Sequence, residues 1–169
     1  MLFVAAFSYF GSHRTDPQTG DALVGSGPPS EGVLGFPDAK VGSVYRFAFP
    51  LLENHSKSTL VVESIQLDHV PAGAKVLGYA VYTVDETNGY ILDYQDGDGS
   101  RGTPNMETMH SYAGQPITIR SHAVSDSYGY VAIKVVGHIT QQLTGCRVNY
   151  RQGSHYYTQE LHCEYALDM

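Results

Sequence analysis

The chain has no tryptophan and only two cysteines among its 169 residues. An immunoglobulin domain in the strict sense packs a buried Trp against a disulfide joining facing sheets, and that signature is missing. Charge is also scarce. Only 16% of residues are charged, with ten Lys and Arg against seventeen Asp and Glu and a net charge of -7. The basic residues are scattered singly. Nucleic acid and anionic membrane surfaces both recognise basic patches, so neither is an expected partner. No Ser lies in a G-x-S-x-G elbow, and no H-E-x-x-H or Cys/His zinc spacing occurs. His55, His69, His122, His138, His155 and His162 stand apart from one another. Nothing in the pattern argues for catalysis, although a hydrolase with a loop-built site remains a second alternative.

What the chain does have is tyrosine (13 residues), glycine (18 residues) and a 42% hydrophobic fraction. Tyr and β-branched residues favour pleated, half-buried surfaces, and no convincing amphipathic helix is visible. About eight short apolar runs separated by turn signals predict an all-β domain. The economical architecture is a two-sheet antiparallel β-sandwich, immunoglobulin-like in general layout.

Three regions are expected. Residues 1–11, MLFVAAFSYFG, form an uncharged apolar stub, too short to span a bilayer, which takes about 20 residues. The stub lacks the basic flank of a signal peptide and is read as the remnant of a membrane anchor. Its alternative is an ordinary first strand. Residues 12–40 carry Gly25-Ser26-Gly27-Pro28-Pro29-Ser30 and Phe36-Pro37, which read as a flexible linker or arm. Residues 41–169 form the sandwich. There Tyr45, Phe47 and Phe49 should share one face, and Val61, Ile65 and Leu67 another, broken by Glu63. Val76–Val84 and Tyr128–Val136 are apolar on both faces and predict two central strands. Asn88-Gly89 predicts a tight hairpin turn.

The end of the chain carries the strongest local signal. Gln152-Gly153-Ser154-His155 separates two strand-like runs, one with Cys146 and one with Cys163. A turn centred between Ser154 and His155 sets Cys146 opposite Cys163. Directly opposed residues of a non-hydrogen-bonded pair lie about 4.5 Å apart, within reach of a disulfide. The even count and mirror placement predict that bond, and hence an extracytoplasmic location.

The remaining motifs are weaker. Gly97–Gly102 fits G-x-G-x-x-G, but Asp96 and Asp98 would repel a phosphate. Asp93, Asp96 and Asp98 suggest a loose calcium site, although the EF-hand pattern fails at both ends. Met106, Met109 and His110 offer soft ligands for copper. Either would make the chain an envelope metal-binding protein, the first alternative, yet no cofactor is required by the pattern. Asn54-His55-Ser56 fits a glycosylation acceptor. Tyr112, Tyr128, Tyr130, Tyr150, Tyr156 and Tyr157 could present an aromatic face to a protein or a glycan at the cell surface; Tyr128, Tyr130, Tyr156 and Tyr157 are the chief candidates. The expectation is a non-catalytic extracytoplasmic module for binding or assembly at the cell envelope, with the membrane touched only through the N-terminal stub.

Overall fold

The structure, a computed structural model, describes residues 16–97 and 104–168. The stub at residues 1–11, and Asp98 of the calcium set, lie outside the described residues. In chain order the elements are β1 (Gln18–Thr19), β2 (Leu23–Ser26), the one-turn helix α1 (Pro28–Glu31) and β3 (Val33–Phe36). Then come β4 (Val44–Ala48), β5 (Leu51–Asn54), β6 (Leu60–His69), β7 (Ala74–Thr83) and β8 (Asp93–Gln95). Last are β9 (Ile117–Ile119), β10 (Ser127–Val135), β11 (Leu143–Gln152) and β12 (His155–Leu167). One sheet runs β1-β12-β11-β6-β9 with β3 also on β12, a second runs β7-β10-β4-β8, and β2 pairs with β5.

The first two sheets pack face to face. Tyr45, Phe47 and Phe49 point inward as their alternation requires, joined by Val131 and Ile133 of β10. Opposite them lie Leu60, Val62, Cys146, Val148, Leu161 and Tyr165 from β6, β11 and β12. Each such side chain, fully buried, contributes about 1.5–3 kcal/mol of transfer free energy. The Tyr165 hydroxyl crosses the core and donates to the Ala48 carbonyl at 2.7 Å, tying the sheets together.

Extra residues in the strands reset which side chains face in. On β6 the pairing steps from Asn149–Ser64 to Tyr150–Val62, leaving Glu63 unopposed. That bulge switches the alternation, so Val62 turns inward with Ile65 and Leu67, and Val61 does not. A bulge at Leu77 does the same on β7.

Of the two expected central strands, β10 is central, between β7 and β4. β7 is an edge strand, with Leu77 50% and Tyr79 41% exposed. Its apolar outer face is explained by a second core on the far side of the sheet. Ala48, Tyr82, Tyr94, Met106, Tyr128 and Tyr130 gather there beneath the connections at residues 84–97 and 104–115. A sheet covered on both faces reads as continuously apolar even in an edge strand.

Two further expectations are corrected. The segment from Pro17 to Lys40, expected to be flexible, is paired along the fold. β1 and β3 run parallel to β12, and β2 pairs with β5. Gln159 clamps Leu23 by accepting from its amide at 3.0 Å and donating to its carbonyl at 2.6 Å. Gly35 lets β3 lie against β12, because a Cβ there would stand 2.6 Å from the Ala166 carbonyl oxygen. The Asn88-Gly89 pair does not open a hairpin. The Gly89 amide returns to the Val84 carbonyl at 2.8 Å, and the next strand waits until Asp93.

Candidate functional site

The closing hairpin supplies the best-defined surface. Gly153 adopts φ +60°, and the ladder closes on Gln152–His155. The turn is therefore centred one residue earlier than expected, at Gly153-Ser154, because Gly tolerates the left-handed backbone a two-residue turn demands. Cys146 consequently faces Leu161, with Cys163 on the diagonal. Between the pairs Cys146–Leu161 and Thr144–Glu164, Gly145 opposes both His162 and Cys163. That bulge draws Cys163 toward its partner. The disulfide forms with Cα atoms 5.7 Å apart, and both cysteines are at most 1% exposed.

Near the turn end, the hairpin, β6 and the start of the described chain enclose a groove of about 480 Å³. Its floor is aromatic. Tyr150 is buried and stacks on half-buried Tyr157, with ring centroids 5.3 Å apart and planes 18° from parallel. The Tyr150 hydroxyl accepts from the Ala22 amide at 3.3 Å, so the N-terminal arm holds this ring in place. Burial raises the Tyr150 pKa above its ordinary value, which keeps the hydroxyl neutral. Tyr156, also half-buried, completes the aromatic lining.

The groove also has fixed polar groups. Asn149 donates to Ser64 Oγ at 2.9 Å and accepts from Thr158 Oγ1 at 2.6 Å, so its amide orientation is set. The bulged Glu63 projects to the rim and meets Arg151 at 3.4 Å, while Asp16 lies at the opposite lining. Aromatic faces beside oriented amide, hydroxyl and carboxylate groups suit a ligand rich in hydrogen-bonding groups. Among the described residues no histidine lines the groove, and Ser64 faces an amide instead of a base.

The other candidates are placed apart. Tyr128 and Tyr130 are 2% and 1% exposed within the second core, so they present no face to a ligand. The covering connections, which local pattern does not reveal, are the reason. Asp96 is engaged by Arg46 in a two-pronged pair, with Nη2 to Oδ2 at 2.9 Å. The hydrogen bond that Arg46 donates to Asp96 raises the Arg46 pKa. Asp93 lies on β8, with its carboxyl pKa raised by desolvation. Met106 is 1% exposed, Met109 packs partly buried against the same cluster, and His110 stands exposed, edge-on to Tyr112 at 4.9 Å. Met106 thus fills core space, as an unbranched thioether commonly does. No group of three or more His, Cys, Asp or Glu is arranged to hold a metal among the described residues. Asn54 is fully buried. Its Nδ2 is directed at the carbonyls of Ser58, Ile119 and Arg120, and its Oδ1 accepts from Ser56. It closes a loop and is not available as a sugar acceptor in the folded chain.

The sequence did flag Tyr156 and Tyr157, but Asn149, Ser64, Glu63 and Asp16 carried no signal. They converge only because β6, β11 and β12 pair in this register. Among the described residues no helix is long and apolar enough to cross a membrane. Comparison with protein-family models, with curated proteins and with solved structures finds no match for this chain.

Proposed function

We propose that this chain is a non-catalytic, extracytoplasmic binding module of the cell envelope, built on a sandwich of immunoglobulin-like general layout, that holds a glycan or a protein segment in the hairpin groove. The observation that carries this reading is the groove itself, where Tyr150 and Tyr157 stack beside an Asn149 amide already oriented by two hydrogen bonds. Half-buried Tyr157, backed by the buried Tyr150 ring, gives a sugar ring or a peptide plane a flat apolar contact at low entropic cost. The oriented amide and the rim carboxylates then select for hydroxyl or amide donors. The cross-link between Cys146 and Cys163 supports an oxidising compartment. It also fixes the base of the strands whose other end forms the groove.

The test is calorimetric titration of the whole chain against a panel of neutral oligosaccharides and envelope-protein peptides. Tyr157→Ala should weaken any ligand found by about tenfold or more, roughly 1.4 kcal/mol. Val41→Ala, at an exposed residue before β4, should leave it unchanged. A ligand whose affinity ignores both Tyr156→Ala and Tyr157→Ala would falsify the assignment.

A further inference from the structure

The exposed edge of β7 is a second surface, independent of the groove. The Val84 amide donates to the Asp126 carbonyl at 2.8 Å, which fixes which residues of this strand bond toward β10. Alternation then turns the backbone groups of Val81 and Tyr79 outward. At Val81 they are taken. The amide donates to Ser111 Oγ at 3.1 Å, and the carbonyl accepts from the Tyr112 amide at 2.9 Å. A short piece of the chain imitates a neighbouring strand there and goes no further. The outward amide and carbonyl of Tyr79 have no partner among the described residues.

Beside this edge, β6 has no strand partner on its outer side beyond Val62, where β9 ends, among the described residues. The two sheets leave a slot of about 160 Å³, lined by Val62 and Ile65 from β6 and by Tyr79 and Val81 from β7, with Glu63 and the segment at residues 113–117 also in its lining. From Val76 to Thr83 the edge carries no charge. An apolar edge with open backbone groups is a template for another strand, and here the only charged side chain is Lys75, at the start of the stretch, with a bulge at Leu77.

Charge indicates what kind of strand. Lys75 lies directly opposite Lys134, and both are exposed. Neither belongs to an ion pair among the described residues. Like charges directly opposed across strands are unfavourable, so an acidic group set beside Lys75 on the open side of β7 relieves the pair. A second copy of this edge offers no acidic residue from Val76 to Thr83.

We infer that the β7 edge from Lys75 to Tyr79 receives an extended strand of a partner protein, apolar toward the slot and acidic where it passes Lys75. Backbone bonds at Tyr79 supply register and affinity, and alternate side chains entering the slot supply specificity.

The probes are two short capped peptides of alternating Val and Thr, one with Glu at both ends and its twin with Lys. The Glu peptide should bind the full chain about tenfold more tightly than the Lys peptide. Lys75→Glu should erase or reverse that preference. Tyr79→Pro removes the outward amide without touching a bond to β10, a placement edge strands tolerate, and should weaken the Glu peptide about tenfold or more. On the unsubstituted chain, exchange of the Tyr79 amide with solvent should slow when the Glu peptide is present. Failure of the Glu peptide to bind, equal binding of both peptides, or an unprotected Tyr79 amide overturns the inference. Self-association of the chain that Tyr79→Pro abolishes assigns the edge to a second copy and overturns it as well.

Discussion

Reducing the bond between Cys146 and Cys163 perturbs the chain without removing an atom from the core. The cross-link spans a sequence separation of 17. In the chain-entropy account, a loop of that size restricts the unfolded ensemble by an amount that stabilises the fold by about 3 kcal/mol. The native side of the balance should change little. Both sulfurs are buried, and as thiols they still fill the space near the Tyr165 hydroxyl, which lies 3.9 Å from Cys146 Sγ. Because the bond is shielded, the reduced form should be prepared by unfolding in urea with reductant and refolding under the same reductant. Equilibrium urea unfolding of both forms then gives the difference directly. The expected loss is about 3 kcal/mol, with a larger m value for the reduced chain, because its unfolded state is more expanded. In thermal unfolding this corresponds to a fall in Tm of about 6–12 °C for a chain of this size. A loss under about 1 kcal/mol with an unchanged m value would show that the hairpin is held by its ladder alone. Typical domains have only about 5–15 kcal/mol of stability, so a loss of the expected size favours an oxidising compartment.

Two more outcomes follow from the buried tyrosines. Among the described residues the buried Tyr130 hydroxyl has no hydrogen-bond partner, so Tyr130→Phe should leave stability unchanged or raise it by about 1 kcal/mol. Tyr165→Phe, which strips the Ala48 carbonyl of its donor, should cost about 1–3 kcal/mol in the same urea assay, and the reverse ranking would contradict the hydrogen-bond assignment. Desolvation raises the pKa of Tyr82, Tyr90, Tyr128, Tyr130, Tyr150 and Tyr165 above the ordinary value of 10.0. Their contribution is fully present below the unfolded value and is lost as pH climbs toward the folded values, because only the unfolded chain releases those protons. Each such group steepens the decline by up to about 1.4 kcal/mol per pH unit. The share of tyrosinate absorbance due to these six of the thirteen tyrosines should therefore appear only with cooperative unfolding in strong base. Ionisation of all thirteen with the fold intact would contradict their burial.

The amino-acid sequence alone determined the strand content, the inward face of β4, the centrality of β10 and the pairing of the two cysteines. The first three are written in residues adjacent along the chain: strand-favouring composition, alternation at Tyr45, Phe47 and Phe49, and a run at Tyr128–Val135 broken only by Lys134. The cysteines are flagged by their number and near-mirror placement, while the shifted turn and the bulge at Gly145 that join them are not. Tertiary structure decided the rest. Whether Val61 or Val62 faces the core depends on one bulged residue, Glu63, whose extra length is visible only against β11. Tyr128 and Tyr130 look like a ligand surface until the remote connections that cover them are in place. The Pro- and Gly-rich arm looks unstructured because its hydrogen-bond partners lie more than a hundred residues away on β12. Local pattern records which backbone a residue favours, whereas burial, register and the sharing of a groove depend on contacts between segments whose separation the pattern does not encode.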